Sequence, residues 1–378
     1  MQIKQYCWRQ DGGWDCDPIV AKSDKVDVMF VFGCTAVVTG TNCIKHLHQV
    51  FPEARMIGCT TAGEICGTIV SDNQLVVTTV QFAKATVRGA AVYTPDYGGS
   101  EEATKALLEQ FPRKGLVHIF LLSDGLLTNG SDIVRGIQES LPYGFPVTGG
   151  LAADSLDFNE TYVIADGKVE RSTIAAIGFY GESLKIGCGS AGGWIPFGPE
   201  RLITRSKGNI LKELDGLSAL ELYRQYLGNP PANLPAAGIR FPLSIQLEEG
   251  EEPMVRTMVL IDEKNDSIVF AGDVPTGCYA RFMRAMPDDL IDGAAQAARI
   301  SKKDGGEKPE LCILITCTGR RAVLKQLTEE ETESVEEAYE KPPVMTGFYS
   351  YGEIAPFGSG NRVILHNQTM TITTISEE

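Results

Sequence analysis

The sequence predicts an α/β protein of two domains, with mixed sheets assembled from repeated strand–helix–strand units. Three observations carry that expectation. The 378 residues exceed one ordinary domain and suit two of about 150–200 residues each. Apolar runs of five to seven residues without polar alternation read as strands covered on both faces. Segments long enough for helices separate those runs, which implies βα crossovers and a parallel or mixed sheet.

The strand runs recur in matching settings. Residues 28–32 and 311–315 each end in a small polar cluster, Gly33-Cys34-Thr35 and Cys317-Thr318-Gly319. Each is followed by a glycine motif: Gly58-Cys59-Thr60-Thr61-Ala62-Gly63-Glu64-Ile65 in the first half, Gly347-Phe348-Tyr349-Ser350-Tyr351-Gly352-Glu353-Ile354 in the second. Asn73-Gln74 and Asn367-Gln368 then lead into runs at 75–80 and 369–375. A weaker third copy lies between them. Residues 116–122 end in Ser123-Asp124-Gly125, Thr148-Gly149-Gly150 follows, and 173–179 closes the unit. Its helix is expected to open with Ser131 as N-cap and Asp132 in the first turn.

From 203 to 228, apolar residues from Ile210 to Leu227 recur at three- and four-residue spacing, predicting two helices divided at Gly216. Gly228 and the proline-rich 230–235 stretch stop them, placing a domain boundary near residue 228. Residues 255–261 and 267–270 predict a hairpin around 262–266, and a helix is expected over 288–300. Thr328 with Glu331 three residues on carries a capping-box signature, and the glutamates of that helix read as a solvated face.

Composition excludes several function classes. With 34 Lys+Arg against 49 Asp+Glu, the net charge of −15 disfavours nucleic acid or an anionic membrane as main partner. No stretch approaches the ~20 apolar residues of a membrane span, and residues 1–20 lack the apolar core of a signal peptide. Ten cysteines without framework spacing fit a reduced, cytoplasmic protein.

Catalytic motifs are sparse. Gly187-Cys188-Gly189-Ser190-Ala191-Gly192 matches the dinucleotide fingerprint by letters, but Pro196 and Pro199 follow where a helix N-terminus is required. A glycine-rich turn or bulge is expected there instead. His46 and His48 sit on a surface helix, and His118 is a core residue within its strand. His366 either closes a turn or ligates a haem iron. Cys34, Cys59 and Cys317 at strand ends are structural, or else activated thiols. What remains is a group of small and polar residues at the carboxyl ends of strands, where open α/β sheets bind ligands. The candidate ligand-binding residues are Cys59, Thr60, Glu64, Ser123, Asp124, Cys317, Arg320, Tyr349, Ser350, Tyr351, Glu353 and Asn367. Arg320 could fork a ligand carboxylate and Glu353 an amino group, or the two could pair with each other. The two Gly-Glu turns are expected to line one cavity.

These motifs resemble those of the FIST family, which joins a FIST N-terminal and a FIST C-terminal domain. The resemblance runs from about Asp27 to Ile375. It rests on Gly58 to Ile65, Gly149-Gly150-Leu151-Ala152-Ala153-Asp154, Gly208-Asn209 through Leu214-Asp215-Gly216 to Tyr223, Gly347 to Pro356, and Leu365-His366-Asn367-Gln368-Thr369. It implies an N-terminal segment 1–26, a FIST N-terminal domain 27–228 and a FIST C-terminal domain 229–378. It also implies a sensory module that binds a small ligand, an amino acid being one proposed class, and signals through a separate partner such as a histidine kinase. Some family members resemble haem-based nitric oxide sensors, so haem is a second reading. A cysteine-dependent enzyme using Cys59 or Cys317, with Asp124 or Glu353 assisting, is a third, and a ligand-free scaffold a fourth.

Overall fold

The three apolar runs that head the repeats become the middle strands of three separate sheets: Val28–Gly33, Leu116–Ser123 and Leu311–Cys317. In this computed structural model, which describes residues 1–16, 25–155, 157–227, 238–247, 252–358 and 360–378, the three units share one topology. Each middle strand pairs in parallel with its glycine strand, Arg55–Thr60, Val147–Leu151 or Val344–Ser350. On its other side it pairs antiparallel with a return strand, Gln74–Gln81, Thr173–Tyr180 or Met370–Glu377. An outer strand, Gln2–Arg9, Thr86–Tyr93 or Leu184–Ala191, lies beyond the return strand.

Register is shared as well. Gly58 faces Val31, Gly149 faces Leu121 and Gly347 faces Leu314. A Cβ at any of the three would lie 1.9, 1.7 or 1.9 Å from the carbonyl oxygen of that partner, so only glycine allows the approach. A left-handed residue lies one or two positions before the return strand in every unit: Asn73 (φ 62°), Ser172 (φ 53°) and Gln368 (φ 65°).

The units are interlocked. After its glycine strand, each unit gives a hairpin to a neighbouring sheet. Glu64–Cys66 with Ile69–Ser71 extends the third sheet, Val163–Ala165 with Lys168–Glu170 the first, and Gly352–Phe357 with Arg362–His366 the second. The strand ends also bond to one another in a ring. Ala62 N–H donates to Tyr349 O (3.0 Å), Ala153 N–H to Thr60 O (2.9 Å) and Tyr351 N–H to Leu151 O (3.3 Å). No unit thus keeps a bare sheet edge where its hairpin departs.

Equivalent side chains meet in the central core. Phe30, Phe120 and Ile313, with Phe32, Leu122 and Ile315, occupy one cluster. Phe30 and Phe120 meet edge to face at 5.5 Å, and Phe32 lies 4.7 Å from Phe348. Helices cover the outer faces: Cys43–Val50 on the first sheet, Ser100–Glu109 and Gly130–Ser140 on the second, Pro287–Gly305 and Thr328–Glu337 on the third. Burial on both faces explains the unbroken apolar runs.

A fourth, antiparallel sheet is inserted between Leu184–Ala191 and Pro287–Gly305. Its strands include Ile195–Lys207, Ile210–Leu214, Leu243–Gln246, Met258–Asp262, Ser267–Phe270 and Tyr279–Arg284, with its own core around Tyr223, Phe270 and Phe282. The two helices expected across 203–228 are mostly strands here; only Ala219–Leu227 is helical. Left-handed Gly208 and Asp215-Gly216 turn the chain at each end of Ile210–Leu214, so the apolar spacing arises from hairpin lengths. The proposed boundary near 228 and the proline-rich stretch lie outside the described residues. The predicted hairpin forms between Met258–Asp262 and Ser267–Phe270.

Several local expectations are corrected. Asn129 is the N-cap of Gly130–Ser140, its side chain accepting from Ser131 N–H and Asp132 N–H, while Ser131 lies inside the helix. Thr328–Glu337 has no capping box, and Glu331 points into the core. Residues 187–191 form neither turn nor bulge; they belong to a regular strand on which the helix Pro287–Gly305 rests. A Cβ at Gly187 or Gly189 would sit 2.0 Å from Ser301 O or Ala297 O. His366, expected to close a turn, is the last residue of the strand Arg362–His366.

Candidate functional site

The glutamates of the two Gly-Glu turns do not line the cleft that opens at the strand ends. Both glutamates are buried and held by their own turns. Thr61 Oγ1 donates to Glu64 Oε1 (2.5 Å) and Gln74 N–H to Glu64 Oε2 (3.3 Å). Ser350 Oγ donates to Glu353 Oε1 (2.7 Å), and Thr369 N–H and Oγ1 to Glu353 Oε2 (3.3 and 2.8 Å). Burial pushes both carboxyls up to about 8, so they are largely neutral acids at pH 7.

Other predicted site residues are also satisfied internally. Asp124 Oδ1 accepts from Leu126 N–H, Leu127 N–H and Thr161 Oγ1 (2.8, 2.9 and 2.6 Å), and Oδ2 from Ser172 N–H (2.7 Å). Thr60 Oγ1 accepts from Tyr162 N–H, and Ser123 Oγ donates to Asp124 O. Asn367 bridges His366 O and Thr257 N–H. Arg320 does not pair with Glu353. Its fully buried guanidinium meets Glu331 (2.6 Å), an equally buried partner that sequence reading had left in solvent. Arg320 also donates to Leu290 O (2.7 Å) and Gly192 O, while Tyr349 Oη donates to Glu331 Oε2 (2.8 Å). This network ties three helices, Pro287–Gly305, Thr318–Leu324 and Thr328–Glu337, to the third sheet and leaves no fork for a ligand.

Of the twelve candidates, Cys317 and Tyr351 do line a cleft. It has a volume of about 300 Å³ and lies between the strand ends of the second and third units and the fourth sheet. Gly125, Leu126 and 128–130 form one wall, Cys317-Thr318-Gly319 with Tyr351 another, and Asn209, 257–259 and 270–273 the third. Phe158 stacks on Tyr351 at 4.6 Å with planes 6° apart, giving a flat aromatic side. Thr257 Oγ1 points from the fourth sheet, buried and without a hydrogen-bond partner. Asp273 lies at the rim, held by Arg135 (2.9 Å). Sequence reading missed Thr128, Asn129, Thr257, Phe270 and Asp273. The small Ala271-Gly272-Asp273 run directly after the Ser267–Phe270 strand is the strand-end signal that could have pointed there.

The electrostatics speak against the other chemistries. Burial pushes the Cys317 thiol up to about 12 and the Cys59 thiol well above its ordinary value, the opposite of an activated nucleophile. His366 is buried against Phe357, with Ser190 Oγ 3.3 Å from Nδ1 and Ala355 O 3.3 Å from Nε2. Neither nitrogen is open to an iron, so the residues do not fit a haem. Among the described residues, no three His, Cys, Asp or Glu side chains gather as a metal site. None of the described helices is long and apolar enough to cross a membrane.

Comparison with known proteins agrees with the motif resemblance. The FIST N domain model matches residues 27–217 and the FIST C domain model residues 219–356. An uncharacterized protein of Methanocaldococcus jannaschii, MJ1623, is 22% identical over 310 residues, covering 76% of this chain and 59% of that protein. The chain thus spans well under two thirds of that relative's length. The crystal structure of a cyanuric acid hydrolase from A. caulinodans aligns over 100% of this chain and 99% of its own at 8% identity, with a TM-score of 0.33, too low to bear on fold or activity. With the two domain models together covering most of its length, in the order the motifs predicted, this chain belongs to the FIST family.

Proposed function

We propose that the chain is a cytoplasmic sensory protein. It binds a small ligand in the cleft under the fourth sheet and signals through a separate partner such as a histidine kinase. FIST domains are generally associated with sensing in signal transduction, which supports the general role. The single observation that carries the ligand reading is the cleft of about 300 Å³ at the strand ends, with Thr257, whose buried hydroxyl has no protein partner, among its lining residues. An unsatisfied buried hydroxyl costs about 1–3 kcal/mol, a cost that a ligand polar atom removes.

An amino acid suits the walls. Its ammonium would meet Asp273, its side chain Leu151 and Phe270, and its carboxylate the hydroxyls of Thr257 and Thr318, since Arg320 is committed to Glu331. Because the cleft joins the three-unit core to the inserted sheet, occupancy would favour one orientation of that sheet over others. The test is a thermal-shift panel of amino acids and small organic acids. A ligand at a hundred times its Kd adds about 2.7 kcal/mol of stability. Ala271→Leu, which fills the cleft, should erase the shift while melting close to the native chain. A panel in which no compound moves the melting temperature would sink the amino-acid reading.

A further inference from the structure

The described cysteines include one pair that the ligand cleft does not use. Cys7 lies in the outer strand Gln2–Arg9 of the first sheet, and Cys66 ends the first strand of the hairpin given to the third sheet. The two free thiols stand sulfur to sulfur at 3.4 Å, although 59 residues separate them in sequence. The chain holds each in place. Cys7 N–H donates to Asp15 Oδ1 (2.9 Å) and Asp15 N–H to Cys7 O (2.9 Å), while Cys66 sits opposite Thr346 in the third sheet. Nearby, Gln5 Nε2 donates to Met345 O (2.8 Å), pinning the outer strand against the sheet that receives the hairpin.

We propose that Cys7 and Cys66 form an oxidant-reactive dithiol site. Peroxide converts it to a disulfide that ties the exchanged hairpin to the first sheet. An S–S bond is about 2.05 Å, so closure asks the two sulfurs to approach by roughly 1.4 Å. The roles are unequal. Cys66 is half-buried and reachable from solvent, and the Cys7 S–H directed at it favours its thiolate; Cys7 is buried and stays protonated.

The reaction balances as follows. The Cys66 sulfur attacks one peroxide oxygen, the O–O bond breaks, and the departing hydroxide takes a proton to leave as water. The resulting sulfenic acid is attacked by the Cys7 sulfur. The S–OH bond breaks, and its hydroxide leaves as water with the Cys7 proton. Two thiols are oxidised by two electrons while one peroxide is reduced to two waters. Disulfides in reducing compartments are characteristically transient and redox-sensing, which suits a sensory chain. The site is independent of the ligand cleft, because neither sulfur lines it.

The test uses the full chain, treated with a small excess of hydrogen peroxide, quenched with catalase, alkylated under denaturing conditions and mapped by peptide mass. The expected product is a single cross-linked peptide pair joining Cys7 to Cys66, two hydrogen masses below the sum of its parts and released by dithiothreitol. The oxidised chain should melt several degrees higher, because the new link restricts the unfolded ensemble. Cys7→Ser should leave Cys66 as a sulfenic acid that dimedone labels. Two results would overturn the proposal: Cys7 and Cys66 both still alkylated when exposed Cys16 is oxidised, or Cys66 joined to other cysteines as often as to Cys7. Both are read on the wild-type chain, so they stand even if a variant fails to fold.

Discussion

The second and third units place different residues at matching strand ends, and the contrast explains where the cleft lies. In both units a residue at the end of the middle strand donates its N–H to a carbonyl at the start of the return segment: Asp124 to Thr173 O (2.9 Å) and Cys317 to Thr369 O (3.1 Å). In the third unit a helix, Thr318–Leu324, starts at once, and Arg320 drops into the core against Glu331. In the second, residues 125–129 run as a loop before Gly130–Ser140, and Leu127, the counterpart of Arg320, is 50% exposed. The Asp124 carboxylate holds that loop by accepting two of its N–H groups. A loop takes the place of a helical turn, and the space left beside it is the cleft. Identical backbone register therefore does not imply identical chemistry; the strand-end residue decides whether the unit closes or opens.

The comparison can be broken at several points, in decreasing order of effect. Glu331→Ala leaves Arg320 buried without its charge partner and should cost about 3–5 kcal/mol in chemical denaturation. Leu127→Ala at the matching place in the second unit should stay within about 0.5 kcal/mol. Equal costs would show that the two strand ends are not built differently. Gly149→Ala and Gly347→Ala test what the units share. Each forces a methyl group onto a neighbouring carbonyl and should destabilise by about 3 kcal/mol; a neutral result at either would deny the common register. Asp124→Asn replaces one of the two oxygens that serve four donors with an NH2 group and should cost about 2 kcal/mol. Hydrogen exchange should then rise first in residues 125–129.

The gentlest test concerns pH. Glu353 titrates at about 8 in the folded chain against an ordinary 4.5, because burial disfavours its charge. Between those values the folded chain keeps a proton that the unfolded chain has lost, so stability is full below about 4.5 and declines as pH rises through 8. Glu353→Gln should remove its share of that decline, about 3 kcal/mol between pH 6 and 9, leaving the share that the equally shifted Glu64 contributes. The second unit, with Ser155 at the matching position, offers no such group. A wild-type chain whose stability is level from pH 5 to 9 would remove the neutral-acid description.

Much of the architecture was readable in the chain. Gly58 and Gly347, with the weaker Gly149, marked three units because close strand pairing tolerates nothing larger at those places. The unbroken apolar runs marked strands buried on both faces. Less of the site was readable. Ser123, Asp124, Arg320 and Glu353 look like ligand groups in sequence because polar residues at strand ends have that chemistry, yet each is consumed by an internal partner. Glu331 shows the difficulty from the other side: in a glutamate-rich helix it is indistinguishable from its exposed neighbours until Arg320 is seen beneath it. The 203–228 segment misled for a related reason, since hairpins of four or five residues reproduce helical spacing.

Local chemistry alone determined the three units, their shared register and the family. Those properties depend on steric and apolar patterns that each segment carries within itself. Which unit received which hairpin, which carboxyl met which cation, and where a cleft was left open were decided only by the tertiary structure. Those outcomes depend on contacts between residues hundreds of positions apart, and no local pattern encodes them.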